Sequence, residues 1–283
     1  MVNSKYKNDL FVEIFSQAEN GLAIYNALLG THYEDVSELE IVTLKDAIFM
    51  HKKNDVAVLL HARMLMLEHQ STINPNMPLR GLQYYGKSMD GYIKRNKFDI
   101  YGKKLIKIPT PYYFVLYNGI KEAPDRVELK LSDAFQTETT GYEWTATMLN
   151  INAGHNKELL DICPILNDYA TLIQYVRENV AKGMQEEPAV EEAVNRCIEE
   201  GHLEEYLRGH LGEAKDMLLS GFDEEIWKEG LREEGREEGR EEGKRELISE
   251  MLRSGMEPQK ISDLCKIPLE FILDVQENLL TAK

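Results

Sequence analysis

The pattern of apolar and polar positions predicts a β-hairpin in the first third of the chain. Two apolar runs of strand length, Asp55–Leu60 and Met64–Gln70, are separated by a short polar segment. If the turn is centred on that segment, the antiparallel register places Asp55 opposite Glu68. Their Cβ atoms would then lie about 5 Å apart.

Patterns on both sides of the hairpin predict an α/β core. A helix is favoured where Asn76 precedes Pro78, and a strand buried on both faces is favoured by the apolar run that ends at Asn118-Gly119. The predicted elements outside the hairpin are a helix at about Asp9–Leu29, a strand near Leu39–Leu44, the helix that begins after Asn76, and strands at Pro111–Tyr117 and Trp144–Ile151, followed by a helix at Leu159–Val180. The core-facing stripe of the helix after Asn76 is predicted to be Leu79, Leu82, Tyr85, Met89, Tyr92 and Ile93.

The two facing carboxylates of the hairpin indicate a cation site. Like charges directly opposite each other are destabilising, and a hard divalent cation with oxygen ligands is the usual solution. Gln70 shares a face with Glu68 by the period of two. Glu68 follows a strongly apolar run, where a carboxylate normally has a partner. The alternative is that Asp55 begins a strand and Glu68 ends one, both in solvent.

The residues around the hairpin also resemble a known family. Asp55, the string E-H-Q-S at 68–71 and the string N-P-N-M-P-L-R at 74–80 are similar to the PD-(D/E)XK nuclease-like family described as recombination-promoting nuclease or putative transposase. The similarity extends from D-L-F at 9–11, through 112–119, to the Gly-Glu-Glu-rich region near the C-terminus. It therefore covers most of the chain.

The resemblance implies an α/β fold with a PD-(D/E)XK restriction-endonuclease-like core, a mixed sheet flanked by helices, and a helical C-terminal region. In that superfamily an Asp and a Glu-x-Lys on adjacent strands hold Mg²⁺ and the attacking water, so Asp55 and Glu68 are the expected ligands of Mg²⁺ or Mn²⁺. Gln70 is the expected third catalytic residue, and it offers a dipole where many relatives have the charge of Lys. The resemblance also suggests a third acid from the first helix, Asp9 or Glu13, although such residues are more often helix-start or solvent-facing charges.

The net charge of −16 at first argues against a DNA-binding protein. The acidity, however, is concentrated at one end, because residues 1–182 have a balance of −2 and residues 183–283 a balance of −14. The segment Arg80–Lys107 has a local balance of +6 and is interleaved with tyrosines. Such a segment is typical of a surface that follows phosphates, or alternatively of a solvated helix face. The candidate DNA contacts are Arg80, Lys87, Lys94 and Arg95.

The C-terminal region changes character after about residue 182. We divide the chain into a nuclease-like domain at 1–182, an acidic helical segment at 183–227, a linker or helix at 228–246 and a small helical tail at 247–283. The acidic segment is expected to pack on the core or on another copy of the chain. Arg-Glu-Glu-Gly occurs three times from Arg232 to Gly243, where each Gly costs about 1 kcal/mol of helix stability relative to Ala. This repeat suggests a charged, partly helical linker or a device for self-association.

These observations together predict a Mg²⁺-dependent deoxyribonuclease that hydrolyses phosphodiester bonds, with a link to recombination or mobile DNA suggested by the family. DNA is the expected partner, and a homo-oligomer through the C-terminal helices is a further expectation. The alternative is a weak or inactive nuclease-fold protein that acts in binding or assembly through its acidic helical tail. No apolar run is long enough for a membrane span and no signal-peptide pattern occurs, which predicts a cytoplasmic protein. The three cysteines lack paired spacing, and His69 is interpreted as structural.

Overall fold

The structure is a computed structural model that describes residues 10–42, 55–137, 141–221 and 243–281. The chain forms two compact units, Met1–Phe222 and Asp223–Lys283. The first unit is a mixed α/β structure built on one sheet, and the second unit is helical in its described part. No helix within the described residues is both long and apolar enough to cross a membrane.

The sheet of the first unit has six strands in the order β1-β2-β3-β4-β6-β5. The strands are β1 (Glu40–Val42), β2 (Asp55–Leu60), β3 (Arg63–Gln70), β4 (Thr110–Tyr117), β5 (Arg126–Lys130) and β6 (Thr145–Asn150). Strands β1, β2 and β3 are antiparallel neighbours, β4 is parallel to β3, β6 is parallel to β4, and β5 is antiparallel to β6. The backbone register pairs Asp55 with Glu68, so the predicted hairpin and its register are confirmed.

The helices of the first unit are α1 (Leu10–Phe15), α2 (Ala18–Leu29), α3 (Met77–Arg95), α4 (Lys157–Ile162), α5 (Pro164–Ala181), α6 (Glu186–Glu200), α7 (Glu204–Gly209) and α8 (Leu211–Gly221). Two predicted continuous helices are each divided in two. The first breaks before α2, where Gln17 is extended, and the second breaks at Cys163, which is pushed out of helical geometry by the ring of Pro164. Strand β5, a short strand with alternating exposure at the sheet edge, was not predicted.

The alternating side chains of the central strands divide the core into two layers. On one face, Val56, Val58, Leu65 and Leu67 pack against α1, α2 and α5. On the other face, Met64 and Met66 pack with Tyr113 of β4 and with residues of α3. The period of two along β3 therefore sends even-numbered side chains toward α3 and odd-numbered ones toward α1 and α5.

The acidic segment that follows α5 packs on the core of the first unit. Apolar residues of α6, α7 and α8 belong to the same cluster as those of α1 and α5. Of the two arrangements expected for this segment, packing on the core is the one observed.

In the second unit, a helix at 243–253 (α9), Pro258–Cys265 (α10) and Leu269–Thr281 (α11) surround Ile248, Ile261, Ile272 and Val275. Residues 222–242, which contain most of the Arg-Glu-Glu-Gly repeat, lie outside the described residues.

Helix α3 turns a face to the sheet that was predicted only in part. Its buried residues are Met77, Pro78, Gly81, Tyr84, Ser88 and Met89, whereas Leu79 is 46% exposed. The predicted stripe is confirmed at Met89, which is buried, and Tyr85 and Tyr92 pack against the same cluster, but it was wrong at Leu79 and missed Gly81, where the lack of a side chain lets the helix come close. At Gly81 an added Cβ would overlap the ring of Tyr113. The absence of a side chain at Gly81 thus sets how near α3 lies to β4.

We predict that Gly81→Ala destabilises the first unit by about 1–3 kcal/mol, because the new methyl group must push α3 away from Tyr113. Gly86→Ala in the same helix is the matched control, since nothing lies within 4 Å of its added Cβ. Ala at that position should stabilise the helix by about 1 kcal/mol. Urea unfolding measures both changes. Equal effects of the two substitutions would contradict the close contact at Gly81.

Candidate functional site around Glu68

Glu68 is a fully buried carboxylate near the end of β3. Its side chain is 0% exposed, and it follows four buried apolar residues on the same strand. Because an ionised carboxylate is costly to bury without partners, its surroundings must supply hydrogen bonds or a positive charge. We therefore expect partners around the Glu68 carboxylate, as the sequence predicts.

Three donors from three different elements meet the Glu68 carboxylate. The Gln70 amide Nε2 donates to Oε1 at 2.5 Å, and the Tyr113 hydroxyl of β4 donates to Oε2 at 2.6 Å. Arg80 of α3 forms an ion pair with Oε1 through its Nη2 atom. Gln70 lies on the same face of β3 as Glu68 because side chains alternate along a strand with a period of two. Tyr113 lies on that face too, because it pairs with Met66 in the register of β3 and β4. Arg80 enters from the first turns of α3.

Arg80 is also held in place by a second partner, Tyr84. Its Nε and Nη2 atoms donate to the Tyr84 hydroxyl at 3.3 and 3.2 Å, and its side chain is 28% exposed. Burial alone lowers the pKa of Arg80, but the charge of Glu68 and the Tyr84 hydroxyl outweigh burial, so the pKa lies above its usual value. Burial raises the pKa of Glu68, against the opposing effects of the Tyr113 hydrogen bond and the Arg80 charge.

The predicted metal ligands are only partly described. Asp55 lies opposite Glu68 in the ladder, which is the placement the sequence predicted, but its side chain lies outside the described residues. Asp9 also lies outside them. Glu13 belongs to α1, on the opposite face of the sheet from Glu68, and its charge helps burial to raise the pKa of Tyr206 to about 12. The structure therefore does not bring Glu13 to the Glu68 carboxylate.

Whether Glu68 can bind a divalent cation depends on which lone pairs of its carboxylate are still free. Oε1 already accepts from Gln70 and Arg80, whereas Tyr113 is the one described residue that donates to Oε2. A carboxylate has about four lone-pair sites, so Oε2 can still serve as one hard ligand. Among the described residues, no three of the His, Cys, Asp and Glu side chains converge on one point. The described residues thus fit a cation that takes one oxygen from Glu68 and its remaining ligands from elsewhere.

The predicted DNA contacts have different environments. Arg80 is engaged with Glu68, and Arg95 pairs with Glu40 of β1 at 2.8 Å. Lys87 and Lys94 are exposed on α3. Arg80, Lys87 and Lys94 are spaced by seven residues, a spacing that drifts by only about 20° around the helix and advances about 10 Å along it. They form a line that begins at the Glu68 site.

The loop after α3 carries the remaining basic residues of the segment Arg80–Lys107. Lys97, Lys103, Lys104 and Lys107 are exposed there, and Tyr101 is 93% exposed. Of the tyrosines interleaved with the basic residues, Tyr84 is buried against the sheet and Tyr101 is fully accessible. The interleaving seen in the sequence therefore combines core residues with surface residues.

His69 lies between Glu68 and Gln70 but faces the other layer, as predicted. Its ring stacks on Phe11 with centroids 5.7 Å apart, and its Nδ1 atom lies 3.3 Å from the Tyr169 hydroxyl. Burial, and to a lesser degree the charge of Arg177, lowers the pKa of His69 to about 3. The ring is therefore neutral at physiological pH.

The residues that the sequence analysis missed at this site are Tyr113 and the role of Arg80 as a partner of Glu68. Tyr113 lies in a predicted buried strand, and a buried tyrosine hydroxyl usually needs a hydrogen-bond partner. That requirement was the available signal.

Comparisons of the chain with models of protein families, with curated proteins and with solved structures give no match.

We predict that His69 makes the fold sensitive to acid. As the pH falls below about 6.5, the unfolded chain binds a proton that the folded chain refuses until about pH 3, so stability is lost across that window. The loss is at most about 1.4 kcal/mol per pH unit. His69→Phe keeps the ring packing and should flatten the decline, measured by urea unfolding from pH 7 to 5.

The exposed His32 provides the control for this prediction. His32→Gln should leave the pH dependence of the unfolding free energy as in the wild type. If His69→Phe and the wild type lose stability with the same slope, the neutral burial of His69 is not what makes the fold acid-sensitive.

Proposed function

We propose that the protein is a DNA endonuclease that depends on Mg²⁺ or Mn²⁺ and hydrolyses phosphodiester bonds. Asp55 and Glu68 would be the metal ligands, and Gln70 would position the attacking water. The observation that carries the proposal is the buried Glu68 carboxylate, which Gln70, Tyr113 and Arg80 hold in one orientation opposite Asp55 in the ladder. A buried acid held this firmly costs stability, which is typical of a functional site.

The order of elements supports a PD-(D/E)XK-like core. Helices α1 and α2 precede an antiparallel meander of β1, β2 and β3, then α3 follows, and β4 returns parallel to β3. Helix, three strands, helix and strand is the order that the family resemblance implies. The proposal takes Asp55 at the start of β2 and Glu68 near the end of β3 as the acidic pair that the resemblance implies.

Residues of the chain would orient the metal ligand Glu68 and the attacking water. A divalent ion, when bound, would lower the pKa of a coordinated water and offset negative charge on the phosphate. Tyr113 and Arg80 fix the orientation of the Glu68 carboxylate, so that a ligand oxygen points one way without further ordering. Gln70 uses one N–H on Glu68 and keeps a second N–H and a carbonyl oxygen for a water molecule.

The substrate path would follow α3 away from the acid. Lys87 and Lys94 continue the line that starts at Arg80, and all three would face one backbone of the duplex. The exposed Lys residues and Tyr101 of the following loop lie beyond the end of the helix. Phosphate contacts of this kind supply affinity and orientation rather than sequence recognition.

A second candidate function is DNA binding without efficient hydrolysis. The ion pair between Arg80 and Glu68 favours it, because a guanidinium on Oε1 repels a cation at the same carboxylate. Gln70 in place of Lys points the same way, since it brings no charge to the scissile phosphate. The two functions share the basic surface and differ in whether Glu68 takes part in chemistry.

We predict that the purified full-length protein nicks supercoiled plasmid when Mg²⁺ is present, and that Glu68→Gln lowers the rate by more than about 100-fold. Removal of hydrogen-bonding partners around a metal ligand typically costs about 10–100-fold, so Tyr113→Phe should fall in that range. Glu128→Gln removes an exposed acid of β5 and should leave the rate unchanged. Thermal melting of each variant confirms folding.

The outcomes of this experiment separate the candidate functions. Nicking by the wild type and Glu68→Gln at the same rate would mean that the activity comes from a contaminant. DNA binding without any nicking by the folded wild type would establish the second candidate instead.

We predict that Lys87→Gln and Lys94→Gln each weaken binding to duplex DNA and lower the slope of log K against log salt by about 1. Fluorescence anisotropy with a labelled duplex over a range of salt concentrations measures the slope. Lys130→Gln, at the exposed end of β5, is the matched control and should leave the slope as in the wild type. Identical slopes for all three variants would show that Lys87 and Lys94 of α3 do not contact DNA phosphates.

A further inference from the structure

A second polar cluster lies where the three parallel strands of the sheet end. Asn118 follows β4 and Asn152 follows β6, at the carboxyl edge shared with β3. The backbone N–H of Asn118 donates to the carbonyl of Gln70 at 2.9 Å, which holds two of these strand ends together. Arg177 of α5 reaches this edge from the layer opposite α3.

Among the described residues, the partners of Arg177 are dipoles and none is an anion. Its Nη1 atom donates to Asn118 Oδ1 at 2.5 Å and to Asn152 Oδ1 at 3.3 Å. Its Nε atom is out of contact with solvent and has no hydrogen-bond partner in the part of the chain that the structure describes. Burial lowers the pKa of Arg177 to about 10, and the groups that oppose this are the hydroxyls of Tyr169 and Tyr117. The guanidinium therefore stays charged, and no described carboxylate pairs with it.

Two further polar atoms, Asn118 Nδ2 and His69 Nε2, lack partners within residues 10–42, 55–137, 141–221 and 243–281. Asn118 is 1% exposed, and since its Oδ1 accepts from Arg177, its Nδ2 is a donor with no acceptor. His69 Nε2 is likewise buried and without a partner. Asn152 is more constrained, because its Nδ2 already donates to Asn150 Oδ1 and the Gly119 carbonyl. The unsatisfied groups are thus mainly donors around one positive charge.

Such an arrangement is costly in the absence of a ligand. A buried charge is normally paired, and a buried donor without an acceptor destabilises the fold. Glu68 shows how the same protein treats a buried charge elsewhere, with a full counter-charge and two neutral donors. The described part of the Arg177 cluster has the cation and the neutral donors but no anion.

We propose that Arg177 and Asn118, supported by Asn152, form a binding site for a phosphoryl oxyanion. The guanidinium fork and the Asn118 amide offer separate N–H donors, which suits a group with several acceptor oxygens. The crevice outside the carboxyl ends of parallel strands is a common place for such ligands. The ligand is either free phosphate or the terminal phosphate of a nucleic acid. The site lies on the other side of the sheet from Glu68 and does not depend on hydrolysis.

The test uses the full chain and inorganic phosphate. Thermal melting with increasing sodium phosphate, against sodium chloride at equal ionic strength, should show a saturable rise in melting temperature with phosphate alone. Arg177→Gln should weaken the apparent affinity by about tenfold or more, the usual value of a lost charged hydrogen bond. Arg126→Gln removes an exposed arginine of β5 and should respond as the wild type does.

A second variant keeps the test decisive if Arg177→Gln does not fold. Asn118→Asp places a carboxylate on the atom that already contacts Arg177, so it should raise the melting temperature without phosphate and abolish the response to it. Equal responses to phosphate and chloride in the wild type would overturn the proposal. So would an unchanged phosphate response in Asn118→Asp.

Oligonucleotides then distinguish the two sources of the phosphate. If the terminal phosphate of a nucleic acid is the ligand, a 5′-phosphorylated oligonucleotide should compete with inorganic phosphate better than its 5′-hydroxyl counterpart, and Asn118→Asp should remove the difference. If free phosphate is the ligand, the two oligonucleotides should compete equally while the response to phosphate persists. Failure of plasmid nicking would leave this result untouched, because no step here requires hydrolysis.

Discussion

The buried Glu68 carboxylate is the constraint on which the arrangement of the central elements depends. Arg80 comes from α3, Tyr113 from β4 and Gln70 from β3, so the acid joins a helix and two strands at one point. Loss of one partner of a buried ion pair typically costs about 3–5 kcal/mol, because the other charge is left uncompensated. Gly81 then becomes part of the same constraint, since it lets α3 come close enough to Tyr113 for Arg80 to reach the acid.

The alternation of β3 separates two kinds of chemistry over three consecutive residues. Glu68 and Gln70 face α3, where Arg80 supplies a positive charge. His69 faces α1 and α5, where it is packed among aromatic rings and kept neutral near Arg177. A shift of the register by one residue would bury Glu68 among the rings and bring His69 to Arg80. The pairing of Asp55 with Glu68 is for this reason strongly specified by the whole core.

The hairpin could be predicted from the sequence because its signal is local. Two apolar runs and a short polar segment determine the register of Asp55 and Glu68 without reference to the remaining chain. The contacts of Glu68 could not be predicted in the same way, since Arg80 and Tyr113 approach only after α3 has packed. The face of α3 was predicted only in part, at Met89, because the small residues Gly81 and Ser88, which apolar periodicity does not single out, lie at the contact beside large ones. The helix break at Pro164, in contrast, had a local signal in the proline itself.

The two buried charges at the carboxyl edge of β3 explain why the edge suits an anionic ligand. Glu68 is neutralised by Arg80, so the α3 side presents little net charge beyond the exposed lysines of the helix. The described groups around Arg177 are amide and hydroxyl dipoles, and dipoles solvate a charge without cancelling it. The described part of this edge therefore carries an uncompensated positive charge on the α5 side. Because salt screens exposed lysines more than a sheltered guanidinium, the Arg177 site should retain its preference for an anion at ionic strengths that weaken the contacts proposed between α3 and DNA.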